Sequence, residues 1–410
     1  MKKCYSKKLT FVFVILIGFI FVTWVIGPSI TGASGKKPVK IGLLSPFSPP
    51  GDPAVGKRMK WAADLAIKYI NEEMGGVLCG RPVELLVEDD SGTPAEGIAG
   101  YRKLVQKDGV VAVVGQFHSS VCLALTKVSR DLGVPLFSSG AASSKITETH
   151  YPTIFRILTL IPARSKFWME FAKDKGMKRV AALCEDTDYG TGFAKWIKKY
   201  GTDQGIAVKT VIFPRTINDL TPALLETKAW KPDLVINVGI GAAGYLMVKQ
   251  AYDVGLFPKV PMLASYGWTV RPEFWDAVGQ KGKYMLFSTS YKPGMLVSWL
   301  GEWMSSRYKA LHNEDPTYYF FNAFGNIMIV AQALNLAQSD DPKDLIDALI
   351  KWPFMNWSGV IKFEEGPGET WHNVSLPIVI LQQTEARQAL GDAAFVWPPS
   401  LGAKAKIVRP

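Results

Sequence analysis

From residue 39 onward, short apolar runs alternate with longer amphipathic stretches, and the alternation runs through twice. Residues 39–44 read as a strand ending in Ser45-Pro46. Residues 56–74 then place Met59, Ala62, Ala63, Ala66, Ile67 and Ile70 on one helical face, and Gly75-Gly76 stops that helix. A strand at 83–87 precedes a helix at 93–107, where Thr93 and Glu96 form a capping-box pattern. A strand at 110–114, a loop at 115–119, a helix at 120–132 and a strand at 134–137 follow, closed by the small-residue loop 138–144. The rhythm restarts with strands at 180–184, 208–213, 234–238 and 261–264 and helices near 192–205, 221–230 and 243–255. Beyond Tyr284, helices at 316–337 and 342–350 alternate with strands at 360–363 and 377–381. The last twenty residues carry Trp397-Pro398-Pro399 and read as a tail. Strand–helix–strand repetition implies a parallel sheet covered by helices on both faces. The expected fold is α/β, two doubly wound Rossmann-like lobes.

Composition narrows the class. The chain has 410 residues, 48% hydrophobic and 20% charged, which excludes disorder and collagen-like repeats. One stretch, 9–27, is continuously apolar, so the chain is not a multi-span membrane protein. Of the net charge of +11, four charges belong to Lys2, Lys3, Lys7 and Lys8 in an acid-free start. The remainder is scattered, with no basic stripe interleaved with aromatics, so nucleic acid is not an expected partner. The basic start, apolar run and Ala33-Ser34-Gly35 make residues 1–35 an export leader cut before Lys36. Left uncleaved, the same run would be an anchor. Both readings put the body outside the cytoplasm. Cys79, Cys122 and Cys184 remain after cleavage, which allows at most one intramolecular disulfide, and their spacing matches no zinc pattern.

Catalytic constellations are thin. Gly239-Ile240-Gly241-Ala242-Ala243-Gly244 fits a dinucleotide fingerprint, but the next strand ends Leu263-Ala264-Ser265-Tyr266, without the acid that holds a ribose. A tight strand-to-helix turn is the simpler reading. His118, His150, His312 and His372 form no H-E-x-x-H motif, and neither a G-x-S-x-G elbow nor a Walker loop is present. Asp89-Asp90 after a strand reads as a solvated loop or cap. Asn356-Trp357-Ser358 and Asn373-Val374-Ser375 match the glycosylation sequon.

Binding remains. In open parallel sheets ligands settle beyond the C-terminal ends of the strands, where loops 45–48, 116–120 and 138–144 are small and hydroxyl-rich. Ser119 and Ser120 fall at a helix start, where free N–H groups and the dipole favour an anion such as a carboxylate. Helix capping by serine explains the same residues.

The chain resembles the leucine/isoleucine/valine-binding-protein family of ABC-transporter solute receptors, the type I periplasmic binding fold. The resemblance spans about residues 39–385. It is carried by the leader, Val39-Lys40-Ile41-Gly42-Leu43-Leu44, Ala66-Ile67-Lys68-Tyr69-Ile70-Asn71 and Glu88-Asp89-Asp90-Ser91. Val114-Gly115-Gln116-Phe117-His118-Ser119-Ser120 and Asp188-Tyr189-Gly190-Thr191-Gly192 complete the pattern.

The resemblance implies two lobes joined by three crossovers and closing on a small solute. It divides the chain into 39–158 plus 287–353, and 159–286 plus 354–386, with a tail at 387–410. The second and third crossovers would fall near 286–291 and 353–359. It also implies a periplasmic monomer delivering solute to an ABC permease in the inner membrane, with no cofactor, metal or catalysis. The carboxylate-holding serine corresponds to Ser119, beside His118. The following loop corresponds to residues 140–142, Gly140 to Ala142, with Ala142 where a threonine is usual. The tyrosine at the mouth of the second lobe corresponds to Tyr189, a second pocket tyrosine is replaced by Ile240, and the ammonium-pairing glutamate falls at Tyr266. Because a desolvated ammonium needs a carboxylate, that last departure predicts a carboxylate ligand with a neutral or aromatic remainder. Tyr266, Trp268, Phe47 and Ile240 would line its pocket. A membrane-anchored sensory ectodomain and a nucleotide-dependent α/β enzyme are the alternatives.

Overall fold

The computed structural model describes residues 35–410; the expected leader or anchor therefore lies outside the described residues except for Gly35. The first half of the chain runs β1 (Val39–Ser45), α1 (Pro53–Lys68), β2 (Val83–Asp89), α2 (Pro94–Arg102), β3 (Ala112–Gln116), α3 (Ser119–Leu132), β4 (Leu136–Ser138) and β5 (Ile154–Ile157). The second runs α4 (Ile161–Asp174), β6 (Arg179–Glu185), α5 (Asp188–Asp203), β7 (Ala207–Phe213), α6 (Thr221–Ala229), β8 (Leu234–Val238), α7 (Ala242–Asp253), β9 (Met262–Ala264), α8 (Pro272–Val278) and β10 (Leu286–Thr289). The remainder supplies α9 (Trp299–His312), α10 (Tyr318–Ala337), α11 (Pro342–Lys351), β11 (Phe354–Asn356), β12 (Gly359–Ile361), β13 (Asn373–Val374), β14 (Val379–Gln382) and β15 (Ala394–Trp397).

These strands build two sheets, one per lobe. The first has the order β13-β5-β4-β3-β1-β2 and the second β15-β14-β10-β9-β8-β6-β7. The first is parallel throughout, with Val39 opposite Val83 and Ile41 opposite Ala112. The second is parallel until β14, which runs antiparallel to both β10 and β15. The two doubly wound lobes expected from the alternation are present.

Local chemistry sets the helix starts. Proline at the first turn opens α1 at Pro53, three residues before the periodicity begins, because the missing N–H is one a helix start leaves unpaired anyway. Thr93 Oγ1 accepts from the Glu96 N–H, so the capping pattern does cap α2. Thr187 caps α5 at Asp188, a full turn before the expected 192. Helix α10 is long and apolar enough to cross a membrane, yet it is mostly buried, packed against α1 and α11 as the spine of the first lobe.

Two expectations about the late chain are corrected. The third crossover does not fall near 353–359. The β11–β12 hairpin stays with the first lobe, where Gln332 of α10 exchanges two hydrogen bonds with the Met355 backbone, at 2.8 and 3.0 Å. Phe363 packs between Phe137 and Phe155, and β13 pairs with β5, Asn373 opposite Arg156. The chain returns to the second lobe only through 375–378, beside the first crossover, where the Leu376 N–H donates to Thr159 Oγ1. The second correction concerns the tail. Residues 394–397 are an edge strand, and Trp397 is 9% exposed, its ring edge-on to Phe167 at 4.2 Å. Eleven residues, 383–393, separate β14 from β15, too long a gap for the local pattern to show that the two strands pair.

If Trp397 is part of the second lobe's core, Trp397→Ala lowers the unfolding free energy by about 3 kcal/mol, read as a lower urea midpoint. A tail residue would leave the midpoint where it was.

Candidate functional site

The loops after β1, β3 and β4 of the first lobe face the loops after β6, β7, β8 and β9 of the second. This is the position at which open α/β sheets take ligands. Ser119 opens α3, one residue earlier than expected. Its hydroxyl accepts the N–H groups of Ala142 and Ser143, both at 3.2 Å. Two loop amides and a helix start therefore converge on one point, a concentration of donors suited to an oxyanion. Gly140 is needed next to it for space: a Cβ there would stand 2.4 Å from the Phe117 ring.

The lobes meet through buried charge. Asp52, from the first lobe, accepts from Arg271 Nη1 of the second at 2.7 Å, with both side chains almost completely buried. Tyr266 donates to the same Asp52 oxygen at 3.3 Å, and Arg271 Nη2 donates to the Tyr319 hydroxyl at 2.8 Å. Burial opposes the charge on Arg271, and the Asp52 carboxylate more than restores it. Burial, reinforced by Asp52, holds the Tyr266 phenol far above its ordinary range. Phe117, Tyr266 and Tyr319 close an aromatic triangle around this pair, with centroids 5.7–5.9 Å apart. Further out, Arg58 of α1 pairs with Glu273 of α8 at 3.0 Å and with Glu314 at 2.6 Å.

A second contact crosses the cleft at Arg215, after β7. It donates to the Gly92 carbonyl at 2.9 Å and to His118 Nε2 at 3.0 Å. A guanidinium cannot accept, so His118 is neutral, with its proton on Nδ1. Burial first, and then the Arg215 charge, hold its pKa well below the ordinary histidine value. Nearby, the Asp188 N–H donates to Ser120 Oγ at 3.0 Å, and Lys145 pairs with Asp188 at 2.9 Å.

The glycine motif is a turn whose first two N–H groups, those of Gly239 and Ile240, are already occupied. Asn237 bridges it, accepting from the Gly239 N–H and donating to the Gly244 carbonyl. Gly241 sits at φ +57°, and a Cβ on Gly239 would press to within 2.8 Å of the Gly244 nitrogen. The Ile240 N–H, where a pyrophosphate would sit, donates to the buried Glu185 carboxylate at 3.1 Å. Burial pushes the Glu185 pKa up. A second carboxylate, Asp52, lies against Gly241. An anion approaching this turn meets two acids.

His118, Ala142, Ile240 and Tyr266 stand on loops, and Ser119 and Tyr189 in the first turns of α3 and α5, with Tyr189 donating to Ser265 Oγ at 3.0 Å. Trp268 does not join them. It is fully buried against Tyr245 and Phe274, at 5.5 and 5.2 Å, as second-lobe core. Phe47 lies beside Gly56 of α1. Outside the donor cluster, a groove of about 910 Å³ runs between the lobes, walled by Pro49, Pro50, Ile217, Ile240, Tyr245 and Leu246. Among the described residues no group of three His, Cys, Asp or Glu side chains is placed to hold a metal ion.

Asp52, Arg215 and Arg271 were not foreseen. Asp52 is the lone acid of Ser45-Pro46-Phe47-Ser48-Pro49-Pro50-Gly51-Asp52-Pro53 and precedes a helix, which reads as an N-cap. It occupies that position but makes no side-chain cap bond. An acid in a cap position whose side chain is spent elsewhere was the available signal.

A cleft between two doubly wound lobes, lined by backbone donors at strand ends, is where such a fold takes a small solute. Residues 38–385 match the periplasmic binding protein family model, and the chain belongs to that family. A leucine-, isoleucine-, valine-, threonine- and alanine-binding protein of Pseudomonas aeruginosa is 28% identical over 342 residues, covering 80% of this chain and 86% of the relative. The crystal structure of the leucine-binding protein LivK from Thermotoga maritima superposes with a TM-score of 0.77 at 22% identity, covering 87% of this chain and 97% of that one. A solute-binding protein of an ABC transporter from R. palustris, in complex with benzoate, gives 0.74 at 19% identity, covering 90% and 100%. The family and these neighbours are substrate-binding proteins, not enzymes.

Two outcomes follow from the cleft. Asp52→Ala strands Arg271 and disfavours the closed form by about 3–5 kcal/mol. Because hinge opening rehydrates Arg271, the variant opens rather than unfolds, seen as a larger radius of gyration by small-angle scattering. Separately, a histidine whose pKa is depressed on folding stabilises the native state above its unfolded value, about 6.5, and loses that contribution as pH falls. In His118→Asn that acid-sensitive part of the stability disappears. The difference between wild type and variant, measured by urea unfolding, shrinks from pH 7 to pH 5.

Proposed function

We propose that the protein is the extracytoplasmic solute receptor of an ABC importer, capturing a small carboxylate that carries no ammonium group and presenting it to an inner-membrane permease. Family membership supports the receptor role and an extracytoplasmic place. The carboxylate is read from the donors gathered at Ser119, Ala142 and Ser143.

The observation that carries the missing ammonium is the engagement of Asp52. Its carboxylate is taken by Arg271 and Tyr266. The other buried acids nearby are engaged as well: Glu185 by the Ile240 N–H and the Thr187 hydroxyl, and Asp90 by the Gly92 N–H and Gln116. An ammonium brought into the cleft would shed its water without gaining a carboxylate, a net cost. The apolar groove suits the rest of the ligand, and benzoate in the R. palustris protein is an acid of this kind held by the same fold.

A thermal-shift screen tests the reading, since a ligand bound only by the native state stabilises it by about 2.7 kcal/mol at a hundred times its Kd. Benzoate and related aromatic or aliphatic acids are expected to raise the melting temperature. A rise with leucine, isoleucine or valine alone would overturn the missing ammonium while keeping the receptor. A rise with NAD alone would overturn the receptor.

A further inference from the structure

Beneath the donor cluster lies a buried charge that no acid touches, Glu148 and Glu369 acting on it only from a distance. Arg156, on β5, is completely buried. Its Nη1 donates to the Ala141 carbonyl at 3.2 Å and the Ser143 carbonyl at 2.7 Å, its Nη2 donates to Thr147 Oγ1, and its Nε has no partner. Among the described residues these neutral oxygens are its hydrogen-bond partners, whereas the equally buried Arg271 has Asp52. Burial without an ion-pair partner pulls the Arg156 pKa down to about 10, which leaves it charged at neutral pH. A buried cation without an acid in contact is costly, and a neutral side chain of similar reach could pin a loop.

The peptide bonds show what the charge does. The Ala141 carbonyl and the Ala142 N–H belong to one planar unit, with oxygen and hydrogen on opposite sides. A cation on the oxygen draws electron density toward it and makes the N–H a stronger donor. That N–H points at Ser119 Oγ, beside the Ser143 N–H. Arg156 therefore acts from behind the loop on the donors that face the cleft.

We propose that Arg156 is a positioning residue for anion capture, polarising the 138–144 loop from beneath so that the cleft prefers an ionised acid to its neutral isostere. The inference rests on the carboxylate reading above and adds the residue that sets the preference. The bound anion would add to the distant counter-charge that Glu148 and Glu369 give the buried guanidinium.

The test compares Arg156→Gln, which keeps a donor and removes the charge, with Arg156→Lys, which keeps the charge. Calorimetric titration with benzoate and with benzamide measures the preference for charge, and selective ¹⁵N-alanine labelling follows the Ala142 amide without any ligand. In the glutamine variant the benzoate-over-benzamide preference is expected to fall about tenfold or more, and the Ala142 proton to move upfield. The lysine variant restores both. Equal losses for the two probes, or an Ala142 resonance indifferent to the charge at 156, would overturn the proposal in favour of plain loop support. Binding of neither probe by the wild type would count against the carboxylate reading, and the Ala142 resonance would still decide the role of Arg156. Should the glutamine variant not fold, the lysine variant carries the comparison: a folded protein that keeps the charge and loses the preference overturns the inference.

Discussion

A carboxylate and a guanidinium can be buried together only while they touch, and here each comes from a different lobe. Asp52 and Arg271 are both almost completely out of water, 2.7 Å apart. Separating the lobes exposes both; leaving them closed with one partner missing costs about 3–5 kcal/mol. The pair therefore ties the electrostatics of the cleft to the angle of the hinge. Tyr266 and Tyr319 complete the hydrogen bonding, and Phe117 packs over both rings. The contacts of Arg58 with Glu273 and of Arg215 with His118 also join one lobe to the other.

The cleft is asymmetric in charge. Its acids are engaged by side chains and amides of the protein, whereas its amide donors at Ala142 and Ser143 converge on a single hydroxyl. A serine hydroxyl is a modest acceptor for two N–H groups backed by a helix start. With both N–H groups donating to its oxygen, the Ser119 hydroxyl is a strengthened donor for a carboxylate oxygen, a charge-assisted bond. The proposed preference for an acid without an amine follows from this difference alone.

How much of this was legible depended on range. Ser119 and the 138–144 loop could be placed because each lies at a strand end, and strand ends are set by local apolar runs. The glycine turn could be judged because the acid its fingerprint needs should follow one strand later, where Tyr266 stands. Asp52 and Arg271 are 219 residues apart and come from different lobes, so neither residue's local surroundings announce the pairing. Trp268 was misplaced because an aromatic two residues from Tyr266 reads the same whether it faces the cleft or Phe274. Strand β13 has two residues, too few to show a period, and nothing local reveals which sheet it joins.

That short strand has a consequence for how the molecule is made. The first lobe's sheet receives its outer strand from residues 373–374, and its covering helices α9 to α11 also follow the second lobe's parallel strands. The second lobe in turn waits for β14 and β15, near the end of the chain. Neither lobe is finished by a contiguous stretch, so the order of synthesis is not the order of completion. Long-range closure of this kind slows folding. A chain built so keeps incomplete sheets until its last strands arrive.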